Sequence, residues 1–251
     1  MAFIVFPIAA LITPSRAQRA DRTRYLIYRA FGGFVWLVQI MGTCRIEFED
    51  RSKLAECRGH IIVANHPSIL DVVILMSINP RIQCIVKHQL FKNIFLRGVV
   101  KWADFIPNDL DSDELLDRCA TAIDEGSNLL IFPEGTRTTP GRPVSLQRGF
   151  ANIAIYSQAS MQIVLIDCDQ PFLCKGHPWY RSPRKRVRFR VSVGERWEVS
   201  DYPESPHRPL VARRLLTALQ ALFRAKLADG EAEGASDTAS FRDTGVRGNL
   251  S

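Results

Sequence analysis

Short apolar runs separated by polar turns predict strands and helices in alternation along most of the chain. Residues 61–64 and 129–132 are continuous apolar runs of the length expected for buried strands. Residues 70–78 follow an apolar pattern that ends before Pro80, which predicts a helix. The same reasoning predicts strands at residues 44–49, 82–86, 104–106 and 162–167, and helices at residues 87–98, 111–126, 147–157 and 210–227. This alternation indicates an α/β fold with a mixed, mostly parallel sheet flanked by helices.

The first 41 residues combine two apolar runs with a cluster of arginines. Residues 1–11 are almost entirely apolar, and residues 25–41 form a second run that Arg29 interrupts. Neither run reaches the roughly 18 apolar residues of a spanning helix, and the positive charge follows the first run, whereas a signal peptide has it in front. The pattern predicts two short apolar helices resting in one leaflet, with arginines at lipid phosphates. The alternative is a helical layer packed on a soluble domain. The arginines between the runs are Arg16, Arg19, Arg22 and Arg24.

The last third of the chain contains a basic strand and a polar tail. Residues 186–193 alternate between polar and apolar, which predicts an amphipathic strand at a sheet edge or with one open face. The basic cluster at residues 181–190 suits solvent as well as a lipid or carrier-protein contact. Beyond residue 230, small and polar residues dominate and predict disorder. The predicted organisation is a membrane-associated helical segment at 1–41, a main domain at 42–229 and a disordered tail at 230–251.

Charge and cysteine content narrow the functional classes. The formal net charge is +7, and a basic surface attracts anionic partners such as phospholipid, a phosphate-bearing substrate, an acidic carrier protein or nucleic acid. The six cysteines form no C-x-x-C pair, which favours buried, reduced thiols in a cytoplasmic environment. The chain contains no H-E-x-x-H, Walker, G-x-G-x-x-G or G-x-S-x-G sequence, which argues against zinc peptidases, nucleotidases, dinucleotide enzymes and serine hydrolases. No metal site is predicted.

A histidine and an aspartate follow the first buried strand. His66 comes two residues after the run at 61–64, and Asp71 lies about one turn into the helix if that helix starts near Pro67. A neutral imidazole can take a proton from a hydroxyl group, while a carboxylate on its other nitrogen holds the tautomer and stabilises the imidazolium. This pair therefore predicts a catalytic base with its orienting carboxylate. The alternative is that His66 caps a helix and Asp71 is solvated.

A turn that suits an anion follows the strand at 129–132. Gly135 allows the backbone to turn sharply and to bring N–H groups near an anion, and Arg137 offers a planar fork that matches a phosphate. Glu134 is expected to accept a hydrogen bond from a substrate hydroxyl or to pair with a basic residue. The alternative is a type II turn over residues 133–136.

Together, the sequences Asn-His-x-x-x-x-Asp and Phe-Pro-Glu-Gly-Thr-Arg resemble the signature motifs of the glycerolipid acyltransferases, the family of 1-acylglycerol-3-phosphate acyltransferases. Both motifs are complete and stand in the family's order, and the resemblance extends from about residue 61 to residue 167. Between them, Lys87 resembles the basic residue of the family's second block, which helps to hold a phosphate. That block often ends with an arginine after a short strand, and Asn108 stands in that place here.

The resemblance implies direct transfer of a fatty acyl group from acyl-coenzyme A or acyl carrier protein to a lysophospholipid hydroxyl in phospholipid biosynthesis. It implies 1-acyl-sn-glycerol-3-phosphate as the acceptor and attachment to the cytoplasmic face of the cell membrane. We expect no prosthetic group and no nucleic-acid partner. Backbone N–H groups at the helix start after His66 are expected to stabilise the oxyanion. The implied catalytic residues are His66 and Asp71, and the implied substrate-binding residues are Lys87, Glu134, Gly135, Thr136 and Arg137.

Three alternatives remain open from the sequence. One is an acyltransferase for a different acceptor, such as a specialised lipid or a polyketide-like acyl product. Another is a thioesterase or phospholipid hydrolase, in which water replaces the alcohol. The third is a non-catalytic membrane lipid-binding protein, against which stands the presence of both His66 and Asp71.

Overall fold

The computed structural model describes residues 15–138, 145–176, 183, 185–201 and 208–243. The apolar run predicted to be helical at residues 1–11 lies outside this part of the chain, as do Arg181 and Arg184 of the basic cluster.

Seven strands of the described residues form one sheet. They are β1 (Cys44–Glu49), β2 (Ile61–Ala64), β3 (Ile82–Val86), β4 (Ile106–Pro107), β5 (Asn128–Ile131), β6 (Met161–Cys168) and β7 (Val187–Trp197). Their order in the sheet is β1-β7-β6-β2-β5-β3-β4. Strands β6, β2, β5, β3 and β4 are parallel, whereas β7 is antiparallel to β6 and parallel to β1. The mixed, mostly parallel sheet predicted from the alternation is therefore confirmed.

Helices cover both faces of this sheet. They are α1 (Arg16–Ile40), α2 (Arg51–Ala55), α3 (Leu70–Met76), α4 (Gln89–Lys92), α5 (Arg97–Trp102), α6 (Ser112–Asp124), α7 (Gly149–Ser157) and α8 (Arg208–Asp243). Helices α1, α3 and α5 contribute to the hydrophobic cluster on one face. Helices α6, α7 and α8 contribute to the cluster on the other.

Strand β2 shows why its sequence is apolar without interruption. Ile61 and Val63 belong to the cluster with α6, α7 and α8, whereas Ile62 and Ala64 belong to the cluster with α1 and α3. All four side chains are fully buried. Because side chains of a strand alternate between the faces of a sheet, a strand between two helical layers needs apolar residues at every position.

The parallel pairing brings the two sequence motifs to one edge of the sheet. Strands β2 and β5 are neighbours, with Ile61 beside Leu129 and Val63 beside Ile131. The residues that follow both strands therefore emerge together, at the carboxyl edge, where β2, β3, β5 and β6 end. Active sites of open α/β sheets gather at this edge.

Helix α1 corrects the predicted position of the arginine cluster, which was expected to lie between two short helices. It runs without interruption from Arg16 to Ile40, so the arginine cluster forms its first turns. Residues spaced three or four apart, among them Ala20, Thr23 and Ile27, are buried against the domain, because that spacing places them on one side of a helix. The alternative of a packed helical layer is thus confirmed for this face.

Arg24 has a structural role that differs from the predicted contact with lipid phosphate. Its side chain is buried, and it donates hydrogen bonds to Gln83 Oε1 at 3.2 Å and Asp21 Oδ1 at 2.6 Å. Arg16 forms an ion pair with Asp104 at 2.7 Å. Both guanidinium groups therefore hold α1 to the domain.

Two further elements differ from their predictions. The predicted helix at residues 87–98 is divided: α4 ends at Lys92 and α5 begins at Arg97, after a turn in which the Asn93 side chain accepts hydrogen bonds from the N–H groups of Phe95 and Leu96. Helix α8 extends to Asp243, past the predicted onset of disorder at residue 230, and alanine and glutamate in this stretch favour a helix.

Strand β7 was predicted at a sheet edge or with one open face, and the second alternative is correct. It lies between β1 and β6, and from Val187 to Val193 its buried residues alternate with partly or fully exposed ones.

No helix among the described residues combines the length and the apolar character that crossing a bilayer requires.

Candidate active site

Asn65 anchors the chain where β2 ends, immediately before the predicted base. This side chain is buried and exchanges two hydrogen bonds with Ile166 of β6: Nδ2 donates to the carbonyl at 2.8 Å, and Oδ1 accepts from the N–H at 2.7 Å. The end of β2 is thereby tied to its neighbour, so that the next residue leaves the sheet in a defined direction. Sequence reasoning did not assign this role, although an amide directly after a buried strand is a signal for it.

His66 and Asp71 form the predicted pair. His66 Nδ1 lies 2.9 Å from Asp71 Oδ2, and the Asp71 side chain is fully buried. The backbone N–H of Ser68 donates to the same carboxylate oxygen at 2.7 Å. The carboxylate accepts a hydrogen bond from Nδ1–H, and this tautomer leaves Nε2 with a lone pair that can take a proton. The alternative of a solvated Asp71 is excluded by its burial.

Burial raises the pKa of Asp71, because the low-dielectric surroundings disfavour the charged form. Its hydrogen bonds with His66 and Ser68 oppose this shift, and the nearby charge of Glu134 adds to it. Oδ1 of Asp71 is buried without a hydrogen-bond partner among the described residues. The carboxylate therefore concentrates its interactions on one oxygen, the one that orients the imidazole.

Phe132 supports the imidazole from one side. This residue directly follows β5, and its ring stacks on that of His66 with centroids 4.1 Å apart and an interplanar angle of 21°. Stacking and the Asp71 hydrogen bond together restrict both the tilt and the rotation of the imidazole.

Glu134 joins the loops that follow β2 and β5. Its Oε1 accepts hydrogen bonds from the backbone N–H of His66 at 3.0 Å and from the Thr138 hydroxyl at 2.9 Å. The Thr138 N–H donates in turn to the carbonyl of His66 at 2.7 Å. The Glu134 side chain is buried. A contact of Glu134 with substrate stays a prediction, and the structure adds that this carboxylate positions the base.

Gly135 turns the chain away from β5. It adopts φ +67°, a conformation that side chains with a Cβ rarely adopt. Its N–H donates to the carbonyl of Phe132 at 3.0 Å, so the turn closes over residues 132–135, one residue earlier than predicted. A Cβ at this position would lie 3.3 Å from Gln147 Cγ. Thr136, which follows, is exposed at the carboxyl edge.

Arg137 is held by the loop between β6 and β7. Its Nη1 donates to the carbonyl of Leu173 at 2.8 Å and to that of Cys174 at 3.3 Å. No carboxylate pairs with Arg137 among the described residues, and the side chain is partly exposed. The two carbonyls orient the guanidinium without neutralising its charge, which is what an anion-binding arginine requires.

Lys87 lies at the same carboxyl edge as His66, one residue after β3, and its side chain is exposed. Asn108 lies next to it: its Oδ1 accepts from the backbone N–H of His88 at 3.1 Å. The His88 ring pairs with Asp109 at 2.8 Å. The position at which the family pattern has an arginine is therefore occupied by an uncharged side chain that accepts a backbone hydrogen bond.

The geometry does not support the predicted oxyanion contacts at the helix start. The N–H of Ser68 donates to Asp71, that of Ile69 to the Leu173 carbonyl at 3.4 Å and that of Leu70 to Ser68 Oγ at 3.3 Å. Since Pro67 has no N–H, each donor of this turn is engaged within the protein.

Comparison with known proteins identifies relatives of this arrangement. Residues 45–167, which include both motifs, match the acyltransferase family model. The 1-acyl-sn-glycerol-3-phosphate acyltransferase alpha of Bos taurus is 25% identical over 201 residues, covering 76% of this chain and 67% of the relative. The corresponding human beta enzyme is 30% identical over 137 residues, covering 51% of this chain and 48% of the relative.

A solved structure has the same fold. The crystal structure of the 1-acyl-sn-glycerophosphate acyltransferase from Thermotoga maritima matches with a TM-score of 0.67 at 17% sequence identity. The match covers 90% of this chain and 87% of that chain.

Proposed function

Residues 45–167 match the acyltransferase family, and from this premise we propose the reaction that the site catalyses. A fatty acyl group moves from an acyl thioester, either acyl-coenzyme A or acyl carrier protein, to the hydroxyl group of a lysophospholipid-type acceptor. The proposed acceptor is 1-acyl-sn-glycerol-3-phosphate, for which the bovine and human relatives are named, and the reaction is a step of phospholipid biosynthesis. The observation that carries this proposal is the pairing of the partly exposed His66 with the buried Asp71, beside the turn that leads to Arg137.

Proton transfer through His66 is the centre of the proposed mechanism. Nε2 takes the proton of the acceptor hydroxyl while the oxygen attacks the thioester carbonyl. Asp71 stabilises the imidazolium that forms. When the tetrahedral intermediate collapses, the carbon–sulfur bond breaks, and the imidazolium returns its proton to the departing thiolate. The products are an ester and a free thiol, and no covalent enzyme intermediate is involved.

The acceptor phosphate is proposed to bind the basic residues at the same edge. Arg137 offers a fork whose direction its two backbone partners determine, and Lys87 adds a second cation. Both residues follow strands on the β5 and β3 side of His66. A bound phosphate there leaves the acceptor hydroxyl free to reach Nε2.

Asp71→Asn is expected to reduce acyl transfer by about two orders of magnitude or more, since an amide does not stabilise an imidazolium. The fold should persist. Folding raises the pKa of Asp71 above 3.8, so the folded wild-type protein binds the Asp71 proton more tightly than the unfolded chain does. The free energy of unfolding of wild type therefore falls as the pH rises from the unfolded pKa through the folded pKa.

The stability difference between Asp71→Asn and wild type should therefore shift in favour of the variant as the pH rises above 3.8, the value from which the Asp71 pKa is raised. Thermal unfolding across this range measures it, alongside turnover. A variant that is active, or one that unfolds at every pH, contradicts the assigned role.

Attachment to the membrane is proposed through the exposed side of α1 together with the preceding residues. Trp36, Ile40 and Met41 are exposed near the end of this helix, whereas Ile27 and Val35 are buried in the core. Large exposed apolar side chains on one side of a helix are typical of an interfacial contact. Deleting residues 1–41 would remove core residues, so substitution is the better test.

We expect Trp36→Ser/Ile40→Ser/Met41→Ser to move a substantial part of the protein from the membrane to the soluble fraction in detergent-free, low-salt buffer. Its melting temperature should stay near that of wild type. Ile27→Ser is the matched contrast, because it should lower the melting temperature instead. If wild-type full chain is itself soluble under these conditions, the attachment proposal fails.

A further inference from the structure

Exposed apolar side chains concentrate at the end of α1 that lies at the carboxyl edge. The other end of this helix lies near the opposite edge, where Arg16 pairs with Asp104 just before β4. The chain then enters β1 at Cys44, beside Val187. Since β1 is antiparallel to β2, its start lies at the carboxyl edge. The large exposed apolar residues in this half of α1 and just after it are Phe34, Trp36, Leu37, Ile40 and Met41.

A second exposed apolar group lies in the chain that leaves the same edge after β3. Ile94, Phe95 and Leu96, here called the 94–96 turn, connect α4 to α5. Ile94 is 67% exposed, Phe95 is 64% exposed and Leu96 is 42% exposed. Helix α5 packs against both α4 and α1. The 94–96 turn therefore belongs to the helical layer that contains α1, and Ile69, beside the catalytic pair, is a further exposed apolar residue at this edge.

Asn93 gives the 94–96 turn a defined backbone. Its Oδ1 accepts hydrogen bonds from the N–H groups of Phe95 at 2.9 Å and Leu96 at 3.3 Å. Its carbonyl accepts from Leu96 at 3.1 Å and Arg97 at 2.8 Å. Backbone N–H groups without partners oppose transfer out of water. In the 94–96 turn the N–H groups of Phe95 and Leu96 have partners, while the apolar side chains are exposed.

The charges around the 94–96 turn are all positive. Between residues 87 and 103 the chain has no carboxylate, and it has four exposed cations. None of the four forms an ion pair with a described residue. Cations that flank exposed apolar side chains fit an anionic bilayer surface, where apolar groups enter the acyl boundary and cations remain at the headgroups. The four are Lys87, Lys92, Arg97 and Lys101.

We propose that the 94–96 turn is a second membrane contact, which inserts into an anionic phospholipid surface alongside the end of α1. An acidic carrier protein would also attract the cations, but it does not account for three adjacent exposed apolar side chains that share an edge with the apolar end of α1. With both contacts seated, the carboxyl edge faces the lipid, and the His66 site opens toward the bilayer surface. Lipid substrate then reaches the base without leaving the interface.

The test follows a probe at residue 95 in the full chain. An environment-sensitive fluorophore is attached to the cysteine of the Phe95→Cys variant. The matched control is Leu210→Cys on α8, labelled in the same way. Wild-type protein treated with the same dye measures how far the native thiols are labelled. Leu210 is also exposed but lies on the other face of the sheet. On vesicles of phosphatidylglycerol and phosphatidylcholine, we expect the probe at 95 to shift to the blue and to be quenched by spin-labelled lipid. The probe at 210 should remain aqueous.

Removing the apolar side chains tests the energetic contribution. The triple variant Ile94→Ser/Phe95→Ser/Leu96→Ser should raise the dissociation constant for these vesicles by roughly tenfold or more, because it removes three apolar side chains that the bilayer would partly bury. Its melting temperature should remain that of wild type. Lys92→Gln/Arg97→Gln should weaken binding to anionic vesicles and leave binding to pure phosphatidylcholine vesicles unchanged.

Three results would overturn the proposal. The probe at 95 stays aqueous in protein that is bound to vesicles, the serine variant binds as tightly as wild type, or the probe at 95 responds to acyl carrier protein and not to vesicles. Each readout measures lipid contact and not acyl transfer. A failed reaction and a failed contact are therefore distinguishable.

Discussion

Replacing His66 with alanine is expected to lower acyl transfer by about two to four orders of magnitude, the usual contribution of a positioned general base. The imidazole is held by Asp71 at 2.9 Å and by stacking on Phe132, and alanine has no group that can take the proton. The loss should fall on kcat, because the proton moves in the transition state and not on binding. Turnover from an acyl thioester to lysophosphatidic acid measures it, with circular dichroism as the check on folding.

His60→Ala is the matched control, because His60 precedes β2 and His66 follows it. Its ring lies at the opposite end of the same strand, where Nδ1 is within 2.6 Å of the Arg58 carbonyl. Activity should survive this substitution. Near wild-type turnover in a folded His66→Ala variant would contradict the proposed mechanism. Release of free fatty acid that does not depend on added acceptor would instead favour a hydrolase that uses water.

Arg137→Ala is expected to raise the acceptor KM by roughly one to two decades, since a charge-assisted hydrogen bond contributes about 1.5–3 kcal/mol. If binding of the phosphate also orients the hydroxyl toward His66, kcat falls as well. Arg137→Lys should recover little, because an ammonium group does not reproduce the fork. Arg213→Ala on α8 is the control for loss of an exposed cation.

A panel of acceptors separates anion binding from loop support. Arg137 also donates to the carbonyls of Leu173 and Cys174, so its removal loosens that loop for every substrate. If Arg137 binds the anion, Arg137→Ala should lower kcat/KM more for lysophosphatidic acid and glycerol-3-phosphate than for a neutral long-chain alcohol. An equal loss for all acceptors, together with a lower melting temperature, assigns Arg137 to loop support alone. Because Asn108 brings no charge to this pocket, a neutral alcohol as the best acceptor would leave the His66 mechanism intact.

The fold class and the contact between His66 and Asp71 were both predictable from local patterns. The run Ile61–Ala64 identified a strand between two helical layers, because only such a strand needs apolar residues at every position. His66 and Asp71 were predictable as a pair, because five positions across a strand-to-helix turn bring the second residue back toward the first. The direction of β7 and its place between β1 and β6 were not predictable from the sequence, because strand order depends on pairings between distant residues.

The roles of Asn65, Glu134 and Arg24 emerged only from contacts across the fold. Asn65 binds Ile166 and Glu134 binds the His66 backbone, and the partners are 101 and 68 positions apart in the sequence. Arg24 was predicted to face lipid phosphate, but its buried guanidinium donates a hydrogen bond to Gln83 and holds α1 to the sheet. No local pattern reveals such roles, because a polar side chain has the same sequence signature whether its partner is water, lipid or a distant backbone group.

By itself, the sequence determined the alternation of elements, the pairing of His66 with Asp71, and the glycine turn that precedes Arg137. These properties depend on residues within a few positions of one another, and the backbone geometry of strands, turns and helices is local. Tertiary structure alone decided which side of α1 is buried, that the N–H groups after His66 are already engaged, and that the exposed apolar residues share the edge of the site. Those outcomes depend on which distant segments meet, and burial and hydrogen bonding between them follow from the packing of the whole domain.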